Sequence, residues 1–283
     1  MRWVDQFFVL RQLCVRMKSS SELLRFEIDK VGFRQKSPFQ SHPAPSRRSK
    51  LSSGGVSPSM PWWHLHHMLF KPPHSHVLWH FRRCAVSTAS SLETPVGDLA
   101  IDQDMTAQLL GTGHFDVMTP RVDEDEHSIE MHLPFIKQVM EGRAIKVVTI
   151  MVGALSVQLE QHYGRILAPY LEDLTNFFII SSDFCHWGSR FRYQPMNSAH
   201  GAIHEHISWL DHKGMDLISS QDAAGFDEYL AEYANTICGR HPIATFINAI
   251  NASQLCFTVE WVDYAQSTKV KSPEVRLDVD VLI

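Results

Sequence analysis

From about Thr94 onward the apolar positions fall into helical and strand periods that alternate along the chain. Asp102 to Gly111 reads as a helix closed by glycine. Ser128 to Glu141 reads as another, its stripe of Ile129, Leu133, Ile136 and Met140 recurring at about 3.6 residues per turn. Ala144 to Val152 is a continuous β-rich apolar run ended by Gly153, the pattern of a buried strand. Gln158 to Glu172 turns Tyr163, Ile166, Leu167 and Tyr170 to one side, and Phe177 to Ser181 reads as the next strand. Ala199 to Leu210 groups Ile203, Ile207 and Leu210, and Phe226, Leu230 and Tyr233 form a similar face before Cys238. Pro242 suits the first turn of a last helix with Ile243, Phe246, Ile247 and Ile250 inward, and Cys256 to Trp261 alternates as a strand. Strands alternating with helices predict an α/β sandwich.

The N-terminal third lacks this regularity. Ser37 to Pro61 is rich in Ser, Pro, Gly and basic residues, a composition that cannot bury enough apolar surface to offset its ordering entropy, so a linker or disordered segment is expected. Pro61 to His80 is rich in Trp and His and follows neither period. Charge sharpens the division. Residues 1–92 carry 14 Lys and Arg against 4 Asp and Glu, whereas the rest carries 12 against 27. The basic, Ser-rich leader fits a transit peptide or a flexible tail. The acidic body has no electrostatic footprint for nucleic acid.

An apolar fraction of 44% and a charged fraction of 20% are ordinary for a soluble globular protein. No apolar run approaches the ~18 residues that cross a bilayer. Trp3 to Leu13 is broken by Asp5, Gln6, Arg11 and Gln12, which argues against a secretory signal. Five widely spaced cysteines form no disulfide framework, so a reducing compartment is expected.

Three polar clusters carry candidate chemistry. Asp183, Cys185 and His186 follow the apolar run Phe177 to Ile180, where an α/β protein commonly places a site. Asp183 and His186 meet if the chain turns helically there, and a carboxylate beside an imidazole orients a metal ligand or tunes an acid/base. The plainer alternative is a helix-capping aspartate with His186 packed on Trp187. Cys238, next to Gly239 and Arg240, is a candidate thiolate ligand, or a buried structural cysteine at a helix C-cap. His127 and Glu130 share a helical face without forming the metalloprotease H-E-x-x-H spacing, while the acids at 123–126 could simply complement a helix N-terminus. The histidines at 64, 66, 67, 74, 76 and 80 are a His-rich tract able to bind metal without a preformed site.

Together these segments resemble the Memo family, named for a mediator of receptor-driven cell motility. The matching stretches are Asp123 to Pro134, Val152 to Ser156, Ser181 to Tyr193, Asn235 to Ile243 and Tyr264 to Ser267, so the resemblance covers about Cys84 to Ser267. It implies an α/β fold with a central mixed sheet flanked by helices, similar to the class III extradiol dioxygenase (LigB-like) fold, around a metal-binding vestibule. It further implies copper or iron as cofactor, redox activity, signalling through the same surface, and a cytoplasmic or also nuclear location.

The family's metal set is two histidines from the N-terminal half and one late cysteine. The cysteine maps onto Cys238; Asp183 and His186 match vestibule residues, with His127 and Glu130 expected beside them. The segment carrying the family's first histidine has no counterpart here. Near the second, Pro72-Pro73-His74-Ser75-His76 leaves His76 or His74 as substitutes. After Ser267 the tail Thr268 to Ile283 also departs. The expected organisation is therefore a divergent basic segment over 1–83, a Memo-like α/β domain over 84–267, and a divergent tail over 268–283. The charge step fits a splice variant or wrongly joined end segments.

The leading expectation is a Memo-like protein whose metal-dependent redox chemistry is impaired by the missing histidines. A non-catalytic module binding a phosphorylated peptide or receptor-signalling partner is one rival, and a non-haem iron dioxygenase-like enzyme is the other.

Overall fold

The computed structural model describes residues 14–17, 65–71, 82–261, 263–270 and 281–282. In chain order the elements are β1 (Cys14–Met17), β2 (Leu65–Lys71), β3 (Cys84–Val86), β4 (Ser91–Leu92), β5 (Leu99–Ala100), α1 (Gln103–Gly111), β6 (Phe115–Val117), α2 (Pro120–Glu124) and α3 (His127–Val139). There follow β7 (Ile145–Val152), α4 (Val157–Glu172), β8 (Asn176–Ile180), a single 3-10 turn (Ser198–His200), α5 (Ile203–Ser219), α6 (Ala223–Tyr233), α7 (Arg240–Ala252), β9 (Phe257–Glu260), β10 (Ala265–Gln266) and β11 (Val281–Leu282).

Five strands form the central sheet in the order β6-β3-β7-β2-β8. β7 and β8 both run parallel to β2, one on each side, while β3 is antiparallel to β7. This is the mixed sheet with flanking helices expected of the sequence. The helix boundaries also follow their signals: Asp102 caps α1 by accepting from the amides of Asp104 and Met105, and Thr119 and Ser156 cap α2 and α4.

Helices cover both faces of β7, which explains its unbroken apolar run. Val148, Ile150 and Val152 join Tyr163, Leu167 and Leu171 of α4 and Phe246, Ala249 and Ile250 of α7. Val147 points the other way, with Ile129, Leu133 and Ile136 of α3. A further core gathers α5, α6 and α7 around Phe184, Cys185 and Trp187, directly beneath the polar cluster that follows β8. The fold therefore seats the candidate ligands on a rigid apolar floor.

β2 corrects the reading of 61–80 as aperiodic. A strand hydrogen-bonded along both edges sits there, at register Met68↔Val148 and Met68↔Phe178. Central parallel strands need not alternate, so their period is silent. No helix among the described residues is long and apolar enough to cross a membrane.

The α4–α7 contact depends on Gly164. A Cβ there would lie 2.6 Å from Asn248 Cβ and 2.8 Å from its carbonyl carbon, so α7 would have to move. Gly164→Ala is expected to lower unfolding stability by about 3 kcal/mol, read as the shift of a chemical denaturation midpoint. An unchanged midpoint would refute this view of the contact.

Candidate metal centre

β8 ends at Ile180, and residues 181–186 leave it without regular structure. They are clasped by residues 235–239, which join α6 to α7. The Asp183 amide donates to Cys238 Sγ at 3.0 Å, and the Cys238 amide donates to the Asp183 carbonyl at 3.2 Å. The His186 amide donates to Thr236 Oγ1 at 2.7 Å, and that hydroxyl donates to the His186 carbonyl at 3.0 Å. The Gly239 amide donates to Ser182 Oγ at 2.9 Å. A side chain at Gly239 would overlap that of Ser182 and press within 2.8 Å of the Ser181 carbonyl, so glycine here serves close approach.

The clasp brings together Asp183, His186 and Cys238, whose ligand atoms all lie within 4.8 Å of one another. His186 Nδ1 stands 2.9 Å from both the Phe184 and the Thr236 carbonyl oxygens. Carbonyls only accept, so Nδ1 carries a proton, and Nε2 is the nitrogen left to offer a lone pair to a metal. Nε2 faces Asp183 Oδ2 at 3.9 Å. His186 and Cys238 are buried, while the Asp183 side chain is 36% exposed and opens the cluster to solvent.

The donor set fits a metal ion. Two ligands of a tetrahedral ion at bonds of roughly 2.0–2.3 Å stand about 3.3–3.8 Å apart, so atoms now within 4.8 Å of one another would close on an ion by drawing together up to about 1 Å. A carboxylate, an imidazole and a thiolate together suit a borderline transition metal. The amide donated to Cys238 Sγ stabilises negative charge on sulfur, and the committed Nδ1 fixes the ring.

Beneath the clasp lies Asp211 of α5, fully buried. Burial pushes its carboxyl up to about 7, against the lowering effect of hydrogen bonds from Asn235, Tyr264 and the Cys185 amide. Burial, with Asp211 alongside, likewise pushes the Cys185 thiol up. That thiol is therefore a packed core group rather than a further ligand. Sequence reading passed over Asp211, although an acid following Ile207 and Leu210 on an apolar face and preceding Gly214 is a signal in itself.

Of the residues singled out in the sequence, the structure joins Asp183, His186 and Cys238. They meet without the helical turn expected after β8, because the clasp supplies the curvature. Cys238 does not end a helix: α6 stops at Tyr233 with Ala234 left-handed (φ 48°), and Cys238 precedes α7, whose N-cap is Gly239. Glu130 is exposed on α3 and is not one of the three clustered residues. His127 opens α3, but its side chain lies outside the described residues, as do His74 and His76. Glu126 caps α3, accepting from the Ser128 amide at 2.9 Å, and Asp123 accepts from Ser87 Oγ, so these two acids have structural roles. Ser182, Thr236 and Asn235 support the cluster and carried no signal beyond proximity to it.

The fold and cluster define an α/β protein with a candidate Asp–His–Cys metal site at the carboxyl end of a mixed sheet. The sequence profile of the family described as Memo-like protein matches residues 68–277, and the chain belongs to that family. It is 44% identical over 205 residues to Protein MEMO1 of Xenopus laevis, covering 71% of this chain and 68% of that protein. Human Protein MEMO1 is 44% identical over 195 residues, 67% of this chain and 66% of the human protein. Protein memo-1 homolog of Caenorhabditis elegans is 43% identical over 195 residues, 67% of this chain and 55% of the nematode protein. The match thus spans about two thirds of the vertebrate relatives.

The raised carboxyl of Asp211 has a definite pH signature. Its folded value of about 7 exceeds the ~3.9 of an unfolded aspartate, so between these values the folded state holds a proton that the unfolded state has released. The contribution is fully present below about pH 4 and is lost as pH rises through 7. Wild type is expected to lose stability relative to Asp211→Asn between pH 5 and 8, by on the order of 2 kcal/mol, in parallel denaturant titrations. Parallel pH profiles would contradict the shift.

Proposed function

We propose that this chain is a metal-associated member of the Memo-like family, with Asp183, His186 and Cys238 as ligands of one copper or iron ion. The observation that carries the reading is the convergence of three unlike donor atoms within 4.8 Å, with His186 Nδ1 already committed to carbonyl oxygens. Cys238 would provide the thiolate, His186 its Nε2, and Asp183 a half-exposed carboxylate at the mouth. A bound copper or iron ion supplies one-electron redox chemistry. The protein residues bind and orient it, with the Asp183 carboxylate facing His186 Nε2 at 3.9 Å. His74 or His76 completes the set in the reading taken from the family, and a weak site results without them. A reducing cytoplasm or nucleus suits a reduced Cys238.

The set holds one imidazole among the described residues, whereas the non-haem iron oxygenase arrangement takes two histidines and one carboxylate. A signalling role in which the same surface takes a phosphorylated peptide or receptor partner is the second reading. Arg240 brings a cation to the start of α7, with Nη1 donated to the Ile237 carbonyl at 3.3 Å.

Metal-stripped full-length protein titrated with Cu(I), Fe(II) and Zn(II), with bound metal counted by mass spectrometry, tests the proposal. One ion per chain is expected for wild type, with affinity falling roughly a hundredfold in Cys238→Ser and roughly tenfold in Asp183→Asn. Equal and weak binding by wild type and Cys238→Ser would sink the metal reading.

A further inference from the structure

Asp211 lies outside the ligand set yet touches both segments that carry it. Its Oδ1 accepts from the amide of Cys185, which stands between Asp183 and His186, at 3.2 Å. The same oxygen accepts from Asn235 Nδ2, three residues before Cys238, at 3.0 Å. Its Oδ2 accepts from Tyr264 Oη at 3.0 Å. The outer partners are fixed in turn. Asn235 Nδ2 also donates to Tyr229 Oη at 2.7 Å, Tyr229 Oη donates to the Leu210 carbonyl at 2.9 Å, and Gln266 Nε2 donates to Tyr264 Oη at 3.0 Å. A Cβ at Gly214 would stand 3.1 Å from the Tyr229 ring, so α5 is shaped to admit that ring.

Oδ1 faces two N–H groups that can only donate, which specifies an acceptor at that oxygen. Stability alone is a poor reason for such a residue, because an apolar side chain in a fully buried position avoids the desolvation penalty. What the carboxylate provides, and an apolar group cannot, is one oxygen shared by two loops that come from opposite ends of α5 and α6. We propose that Asp211 is a positioning residue of the candidate metal centre, its Oδ1 holding the Cys185 amide and the Asn235 side chain in register and so setting the distance of Asp183 and His186 from Cys238. The proposal rests on the metal reading above for its functional meaning, while its geometry stands in the metal-free protein.

The experiment uses the full chain with Asp211→Ala, which removes the shared oxygen, and Asp211→Asn, which keeps an Oδ1 acceptor. Two quantities are read on variants that melt cooperatively. The first is the alkylation rate of Cys238 in metal-free protein, followed by peptide mass spectrometry with exposed Cys256 as internal reference. The second is Co(II) affinity together with the sulfur-to-cobalt charge-transfer absorption that reports a Cys238 thiolate ligand. Asp211→Ala is expected to raise the Cys238 rate several-fold over Cys256, weaken Co(II) about tenfold and diminish the band, with Asp211→Asn much closer to wild type. Asn235→Ala cuts one bond of the clasp and reads the same quantities if Asp211→Ala does not fold. Wild-type alkylation rates in Asp211→Ala, or in Asn235→Ala where that is the folded variant, overturn the positioning role. Wild type that binds no Co(II), with the alkylation difference intact, removes the metal reading and leaves the positioning role standing.

Discussion

The reciprocal pairing of Asp183 with Cys238, amide to sulfur and amide to carbonyl, is the contact on which the polar half of the molecule depends. It joins the segment leaving β8 to the segment entering α7, two elements that also meet through apolar packing such as Phe178 on Phe246. Everything else at the site is arranged to keep that pairing in place. Gly239 allows the approach, Ser182 and Thr236 bridge the backbones on either side, and Asp211 ties the loops from below. A bare cysteine and a bare histidine would be free to pack anywhere in such a core. Hydrogen bonds that satisfy their backbones in one arrangement only are what turn them into a cluster.

The energetic character of the two halves differs accordingly. Around β7 the structure is held by apolar area, with α3 on one face and α4 and α7 on the other. Below the cluster the apolar floor of Ile207, Leu210, Phe226 and Ile243 surrounds a carboxylate, two phenols and a carboxamide. Such a network adds less stability than the same volume of hydrocarbon, and it defines geometry more sharply. Placing it next to ligand-type side chains is consistent with a site whose precision matters more than its contribution to folding.

Much of this was readable in the sequence, for reasons that differ from element to element. α3, α4 and α7 declared themselves because each is amphipathic over three or more turns, and β7 because an apolar run bounded by Gly153 leaves few alternatives. β3 and β6 are only three residues long, too short for any period, and β2 lies within a Trp- and His-rich stretch without alternation. Asp183, His186 and Cys238 stood out because ligand-type residues crowded at element ends. The protonation of His186 Nδ1 was not legible, since its partners are main-chain carbonyls that every residue possesses. Asp211 stood on the apolar face of α5, a sign of burial, but the partners that give it a role come from distant segments and were not legible.

The position of β2 has a bearing on how the chain reaches this state. β7 and β8 are consecutive strands joined by α4, yet they never pair; each lies against β2, whose residues precede them by many tens of positions. A βαβ unit formed from β7, α4 and β8 alone would therefore have an open slot down its middle. Filling the slot requires closing a long loop before any of its hydrogen bonds form, an entropic barrier that grows with sequence separation. The segment after β8 is oriented only when β8 is docked, so the insertion of a strand from far upstream becomes the event that commits the ligand cluster to its final shape.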